Sequence, residues 1–197
     1  MNRLRNLSRW ATIAKLAACL ALAQGVSSCL PAAPMYLQPP PPLVQPQPPP
    51  GPGIHFLAEV EGEVLRLANE ARRQQGLPPL AGDQTLTAAA RRHSGDMLAR
   101  GFFSHVNPDG LSASQRLPRG YSRIMRQSGE NIWMGSGQNT YNPRYLAGAI
   151  MASLMASPGH RQNLLDPHYN HLGVGVAAWG REVRVTQDFG QLPGGAF

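Results

Sequence analysis

Cysteine is nearly absent from this 197-residue chain, and the two it has, Cys19 and Cys29, both stand near its start. Whatever folds after Cys29 does so without a disulfide, so its stability comes from a packed core or a bound metal. Lysine is missing altogether beyond Lys15. The remaining arginines are interspersed with acids and form no basic stripe, which argues against a nucleic-acid partner. Long hydrophobic runs are lacking too. The apolar or small stretch LAACLALAQGVSS, residues 16–28, is too short for a stable membrane span. There is no G-x-S-x-G elbow for a serine hydrolase, despite Ser104 beside His105 and Ser157 near His160, and no HExxH for a helix-borne zinc site.

What is present divides the chain in three. Residues 1–15 carry Arg3, Arg5, Arg9 and Lys15 with no acid, and together with 16–28 they have the pattern of a signal peptide. That segment ends in VSSC, Val26–Cys29, which resembles the bacterial lipobox, where the cysteine is lipidated and becomes the mature N-terminus. LAAC at Leu16–Cys19 fits the same letters, but Lys15 leaves almost no apolar core before it, so Cys29 is the expected lipidation site. A plain secretory signal cut nearby is the alternative. Removing residues 1–28 leaves fourteen basic residues against eleven acids, a net charge of about +3 in place of +7. Residues 29–53 include QPPPPLVQPQPPPGPG, which favours extended polyproline II at about 3 Å per residue and serves as a stiff spacer. The folded domain is then 54–197, long enough for a sizeable core.

Within it, Val60, Val64, Leu67, Ala68 and Ala71 mark one face of a helix that ends near Gly76. Asp83 is placed to cap a second helix bearing Leu86, Ala89, Ala90, His93 and Met97, with Gly101 beyond its end. A short helix is expected over Ser112–Leu117. Asn142-Pro143 reads as N-cap and N1 of another helix, with Leu146, Ile150 and Leu154 on one stripe, stopped at Pro158. The period then changes to two: Leu172, Val174, Val176 and Ala178, then Val183 and Val185, with Gly180 between them, predict a β-hairpin. Helices first and strands last make an α+β domain with few strands.

Four segments carry candidate chemistry: FFSHVNPDG with His105, GENIW with Glu130, SPGHRQNLL with His160, and VTQDFG. With LANEARRQQGLPPLAGDQTL, HSGDM and HLGVGVA they resemble, in order and spacing over residues 57–190, the CAP superfamily (cysteine-rich secretory proteins, antigen 5 and pathogenesis-related proteins; the SCP domain), and its bacterial branch most closely. The resemblance implies an α-β-α sandwich with a small antiparallel sheet, and a cleft where His105, Glu130 and His160 converge. It also implies ligand contacts from Asn131 and Ser157. A further glutamate found in many eukaryotic members, on the helix before the second histidine, is missing here: that helix reads IMASLMAS, with Leu154 where the usual tryptophan stands.

Two neutral imidazoles and a carboxylate are the ligand set of His₂Glu zinc sites, so Zn²⁺ or another divalent cation is one expectation; a metal-free cluster hydrogen-bonded through Glu130 is the other. The functional expectation is a lipid-anchored binding module of the cell envelope, exported and membrane-attached, or secreted and soluble. Its ligand would be a lipid, a sterol-like molecule or a cell-wall component, with no nucleic acid. The alternative is a metal-dependent hydrolase using the same three residues. His93 reads as a packed helix residue, His168 and His171 as parts of a turn, Arg161 as structural, Phe102 and Trp133 as core, and Asp96 and Asp188 as solvated or capping acids.

Overall fold

The structure, a computed structural model, describes residues 53–140 and 142–194. The expected signal peptide (1–28), Cys29 and the proline-rich segment up to residue 52 lie outside the described residues. The elements in chain order are β1 (His55–Phe56), α1 (Ala58–Gln74), β2 (Ala81–Gly82), α2 (Gln84–Ala99), a single 3₁₀ turn (Ser114–Arg116), α3 (Arg119–Ile124), β3 (Gln127–Gly135), α4 (Pro143–Ala156), α5 (Pro158–Leu164), β4 (His171–Trp179) and β5 (Glu182–Gln191). The sheet runs β1-β4-β5-β3, and β2 joins β4 as well. Every pairing is antiparallel except that of β2 with β4. Among the described residues, no helix is long and apolar enough to cross a membrane.

The β4–β5 hairpin turns at Gly180, whose φ of +57° is the left-handed conformation that glycine adopts without strain. Alternation along the hairpin sends Val174, Val176, Val183, Val185 and Phe189 to one face. There they pack with Val60, Val64 and Ala68 of α1 and with Leu146, Ile150 and Leu154 of α4. On the other face Gly173 and Gly175 let α2 rest on the sheet: a Cβ on either would lie 2.1–2.2 Å from α2 backbone atoms. Sequence HLGVGVA is therefore a strand with bulk on one side and a helix seat on the other. Both faces of the sheet are covered, which is the α-β-α layering.

Several boundaries differ from the sequence reading. The expected helix at Ser112–Leu117 is only the 3₁₀ turn, and α3 and β3 had no periodic signal. Pro158 does not begin a loop. The chain breaks at Ser157, extended at φ −85°, ψ 120°, and Pro158 opens α5 at its first turn, where a missing N–H costs nothing. His160 is thus the third residue of a helix and not a loop residue.

Candidate functional site

His105 sits in the connection after α2, and its neighbours pin that connection down. Asn107, itself buried, accepts the N–H groups of Asp109 (3.2 Å) and Leu111 (2.9 Å) through Oδ1, an Asx turn that shapes NPDG. Arg116 reaches in from the 3₁₀ turn and donates from one amino group to the carbonyls of His105 (2.7 Å) and Leu111 (3.1 Å). His93 on α2 holds the preceding carbonyl, that of Ser104, at 3.0 Å from Nε2. A carbonyl only accepts, so His93 carries its proton on Nε2. Burial, aided by the Arg116 charge, pushes its pKa down to about 4, which keeps the ring neutral.

The imidazole of His105 is 55% exposed, with Nδ1 2.7 Å from Oε1 of Glu130. Glu130 comes from β3, and its side chain is only 3% exposed; its other oxygen accepts from the guanidinium of Arg116, which is 1% exposed. Burial by itself would raise the Glu130 carboxyl, but the hydrogen bond from His105 and the charge of Arg116 together hold it below the ordinary value. An ionised carboxylate only accepts, so His105 places a proton on Nδ1. In its neutral form His105 then presents the lone pair of Nε2 outward.

The next residue on β3, Asn131, points to the opposite face and stitches α5 to the sheet. Its amide donates to the His160 carbonyl (3.1 Å) and to Oε1 of Gln187 (3.1 Å), and its oxygen accepts from Asn163 (2.9 Å). Asn163 also donates to the Glu130 carbonyl at 3.2 Å. His160 is half-buried, and burial, then the charge of His105, lower its pKa. Ser157 lies at the joint of α4 and α5 and caps neither with its side chain.

As ligands for a metal these groups fit poorly. Both oxygens of Glu130 are engaged, and among the described residues no three of His, Cys, Asp and Glu are gathered to hold an ion. Two imidazoles are half of a tetrahedral shell.

The residues expected to be structural behave largely as read. Arg161 donates to the Met155 carbonyl (3.0 Å), and Trp133 packs on the main core. His168 lies in the expected turn and pairs with Asp166 at 2.8 Å, whereas His171, read as part of that turn, opens strand β4 and meets Asn170 at 2.7 Å. Asp96 and Asp188 require correction. Both are buried: Asp96 pairs with Arg100 at 2.8 Å, and Asp188 lies under α2 directly opposite Glu130 in the β3–β5 register. Arg116, Asn163 and Gln187 are the functional neighbours that sequence reading passed over. Asn163 stood inside SPGHRQNLL, whereas Arg116, in SQRLP, had no local signal.

Comparison with known proteins bears on the family and the fold. The family model described as CAP, cysteine-rich secretory protein family, matches residues 65–189. YkwD of Bacillus subtilis (strain 168) is 35% identical over 120 residues, which is 61% of this chain and 43% of that protein. The membrane protein YlbC of the same organism is 39% identical over 117 residues, 59% of this chain and 31% of its own length. The chain thus spans less than half of either relative. Among solved structures, an extracellular SCP-domain protein from Bacillus anthracis str. Ames superposes with a TM-score of 0.54 at 30% identity, covering 68% of this chain and 41% of that one. An outer surface protein of Borrelia burgdorferi shares the fold at a TM-score of 0.59 and 18% identity, covering 70% of this chain and 98% of its own. Motif order, sandwich layering and the family match over 65–189 agree, and the chain belongs to the CAP family.

Proposed function

We propose that this protein is an exported, lipid-anchored binding module of the bacterial cell envelope, whose cleft of His105, Glu130 and His160 receives an amphipathic envelope ligand. The observation that carries this reading is the state of Glu130. A hydrolytic base needs a carboxylate that can take a proton from a nearby water. Glu130 is buried, tied at both oxygens to His105 and Arg116, and held at a lowered pKa, which makes it a weak base and a good anchor. The exposed part of the site is the His105 ring, flanked in sequence by two exposed apolar side chains, Phe103 and Val106. An imidazole between apolar neighbours suits a lipid or sterol-like molecule with a polar head. Export and envelope location are supported by the extracellular B. anthracis relative and the membrane protein YlbC.

The test is solvent extraction of the full chain purified from its own envelope, with mass analysis of what is released. A lipid is expected from wild type, and about tenfold less from Phe103→Ser/Val106→Ser, because apolar burial supplies the binding energy. Turnover of peptide, ester or peptidoglycan substrates, with or without Zn²⁺, that Glu130→Gln removes from a still-folded protein would instead establish the hydrolase. The anchor is checked separately. Cys29→Ala should release the protein from the membrane fraction with its domain folded, since stable attachment rests on acyl chains and not on the fold. Undiminished retention of that variant would refute lipidation at Cys29.

A further inference from the structure

Glu130 stands on one border of the sheet, and the other border, on β4 two strands away, is incomplete. On the side of β4 away from β5, β1 takes up Ala177 and Ala178 and β2 takes up His171 and Leu172, so no strand covers the stretch between them. Along that edge the Leu172 carbonyl accepts from the Asp83 N–H (3.1 Å) and the Val176 carbonyl from the Leu57 N–H (3.0 Å). The Val176 N–H donates to Oε1 of Glu61 at 3.0 Å, so a buried carboxylate stands there in place of a strand. Val174 lies midway between Leu172 and Val176, and alternation turns its N–H and C=O to the same edge. Val174 is 3% exposed, and neither group has a partner among the described residues. Buried backbone groups rarely go unpaired.

A groove of about 550 Å³ opens over this gap, a volume within the range of ligand sites. Ala58 and Gly62 of α1 line one wall, Thr87 and Ala88 of α2 the other, and Val174 lies between them. Toward β1 the groove meets Glu61 and Arg91, paired through Nε at 2.9 Å; Arg91 lies over the Phe56 ring, and its Nη1 donates to no described residue. Packing does not require glycine at position 62, since a Cβ there would meet no atom within 4 Å. A glycine inside a helix weakens it relative to alanine, and what Gly62 provides in return is an open wall. We propose that this groove is a peptide-binding site, in which a short, uncharged, extended segment adds to the edge of β4 between β2 and β1. One residue of the segment donates its N–H to the Val174 carbonyl and accepts the Val174 N–H, and a neighbouring carbonyl accepts from Arg91 Nη1. The gap admits about three residues, because Leu172 to Val176 spans roughly 13 Å at about 3.3 Å per residue. Glu61 and Asp83 outnumber Arg91 in the lining, which disfavours an anionic ligand. Both acids are already engaged, Glu61 by Arg91 and Val176 and Asp83 by the Leu86 N–H, so the site does not call for a cation. Main-chain pairing at a sheet edge supplies the affinity, and the helix walls select the side chains. The site is separate from the cleft of His105, Glu130 and His160 and does not depend on what that cleft binds.

The experiment is ¹H–¹⁵N NMR of the labelled full chain titrated with N-acetyl-trialanine N-methylamide, a peptide without charged ends. The Val174 N–H should move downfield and exchange with solvent about tenfold more slowly at saturation, while the His105 and His160 amides stay in place. The same peptide methylated at all three alanine nitrogens loses its donors and should bind at least about tenfold more weakly. Gly62→Leu fills the groove from α1 and should abolish binding with an unchanged or raised melting temperature, since the glycine is replaced by a better helix former. A Val174 N–H that neither shifts nor gains protection at about 10 mM peptide overturns the proposal. Equal binding of the methylated peptide overturns it as well, and neither result needs a variant to fold. Undiminished binding in Gly62→Leu would place the peptide elsewhere and overturn it too.

Discussion

Arg72→Ala should lower the melting temperature by roughly 10–15 °C, although Arg72 lies far from His105 in the chain and binds only backbone carbonyls. Arg72 is fully buried. Its guanidinium donates to the carbonyls of Pro78 (2.8 Å), Leu164 (3.1 Å), Asp166 (2.9 Å) and Tyr169 (3.2 Å). Leu164 is the last residue of α5, and its carbonyl is one of those a helix end leaves without a partner. One side chain on α1 thus closes the end of α5 and fixes the turn leading into β4. Removing it strands four acceptors at about 1 kcal/mol or more each, some 4 kcal/mol together. At about 2–4 °C per kcal/mol for a chain of this size, that gives the expected shift. Arg72→Lys should recover only part of it, because an ammonium has three donors and no planar fork. Thermal unfolding followed by circular dichroism makes the measurement; an alanine variant within about 3 °C of wild type would show that water replaces the guanidinium at little cost. Since α5 carries His160, the variant should also broaden the His160 ring signals in NMR more than those of His105.

The stripe that buries Arg72 was in the sequence. Val60, Val64 and Ala68 are spaced by four, and Arg72 is the next member; reading for apolar residues alone stops the stripe at Ala71, which the structure leaves partly exposed. Helices α1, α2 and α4 and the β4–β5 hairpin were legible because each has one buried face and hence a clean period. β3 was not, since Glu130, Asn131 and Ile132 are buried in succession on an edge strand covered on both sides, which erases alternation. The same covering misled the reading of VTQDFG: polar Thr186 and Asp188 alternate with Val185, Gln187 and Phe189, as if one face met water, but α2 lies there. The histidines and Glu130 were located by motif resemblance. Their partners were not, because Arg116 and Asp188 meet Glu130 only through tertiary packing, 14 and 58 residues away along the chain.

The other large effect belongs to Arg116, whose removal reverses the sign of a second mutation's effect. Arg116→Ala removes the guanidinium from a carboxylate that is itself buried and leaves the His105 carbonyl without its donor. Breaking one side of a buried ion pair costs about 3–5 kcal/mol, chiefly because the surviving charge stays out of water. That cost depends on Glu130 being ionised. Its folded pKa is lowered, so its stabilising contribution is present above the unfolded value and disappears as pH falls through the folded one. The difference between wild type and Arg116→Ala should therefore be largest near neutral pH and shrink as the solution is acidified below about 4. Glu130→Gln supplies the decisive comparison. In the wild-type background it removes half of a satisfied pair and should destabilise. In the Arg116→Ala background it removes the stranded charge and should stabilise, since a neutral amide tolerates burial better. Denaturant midpoints of the four proteins at about pH 7 close this cycle. If Glu130→Gln destabilises equally in both backgrounds, Arg116 and Glu130 are not coupled, and the anionic, anchored Glu130 on which the binding reading rests is lost with them.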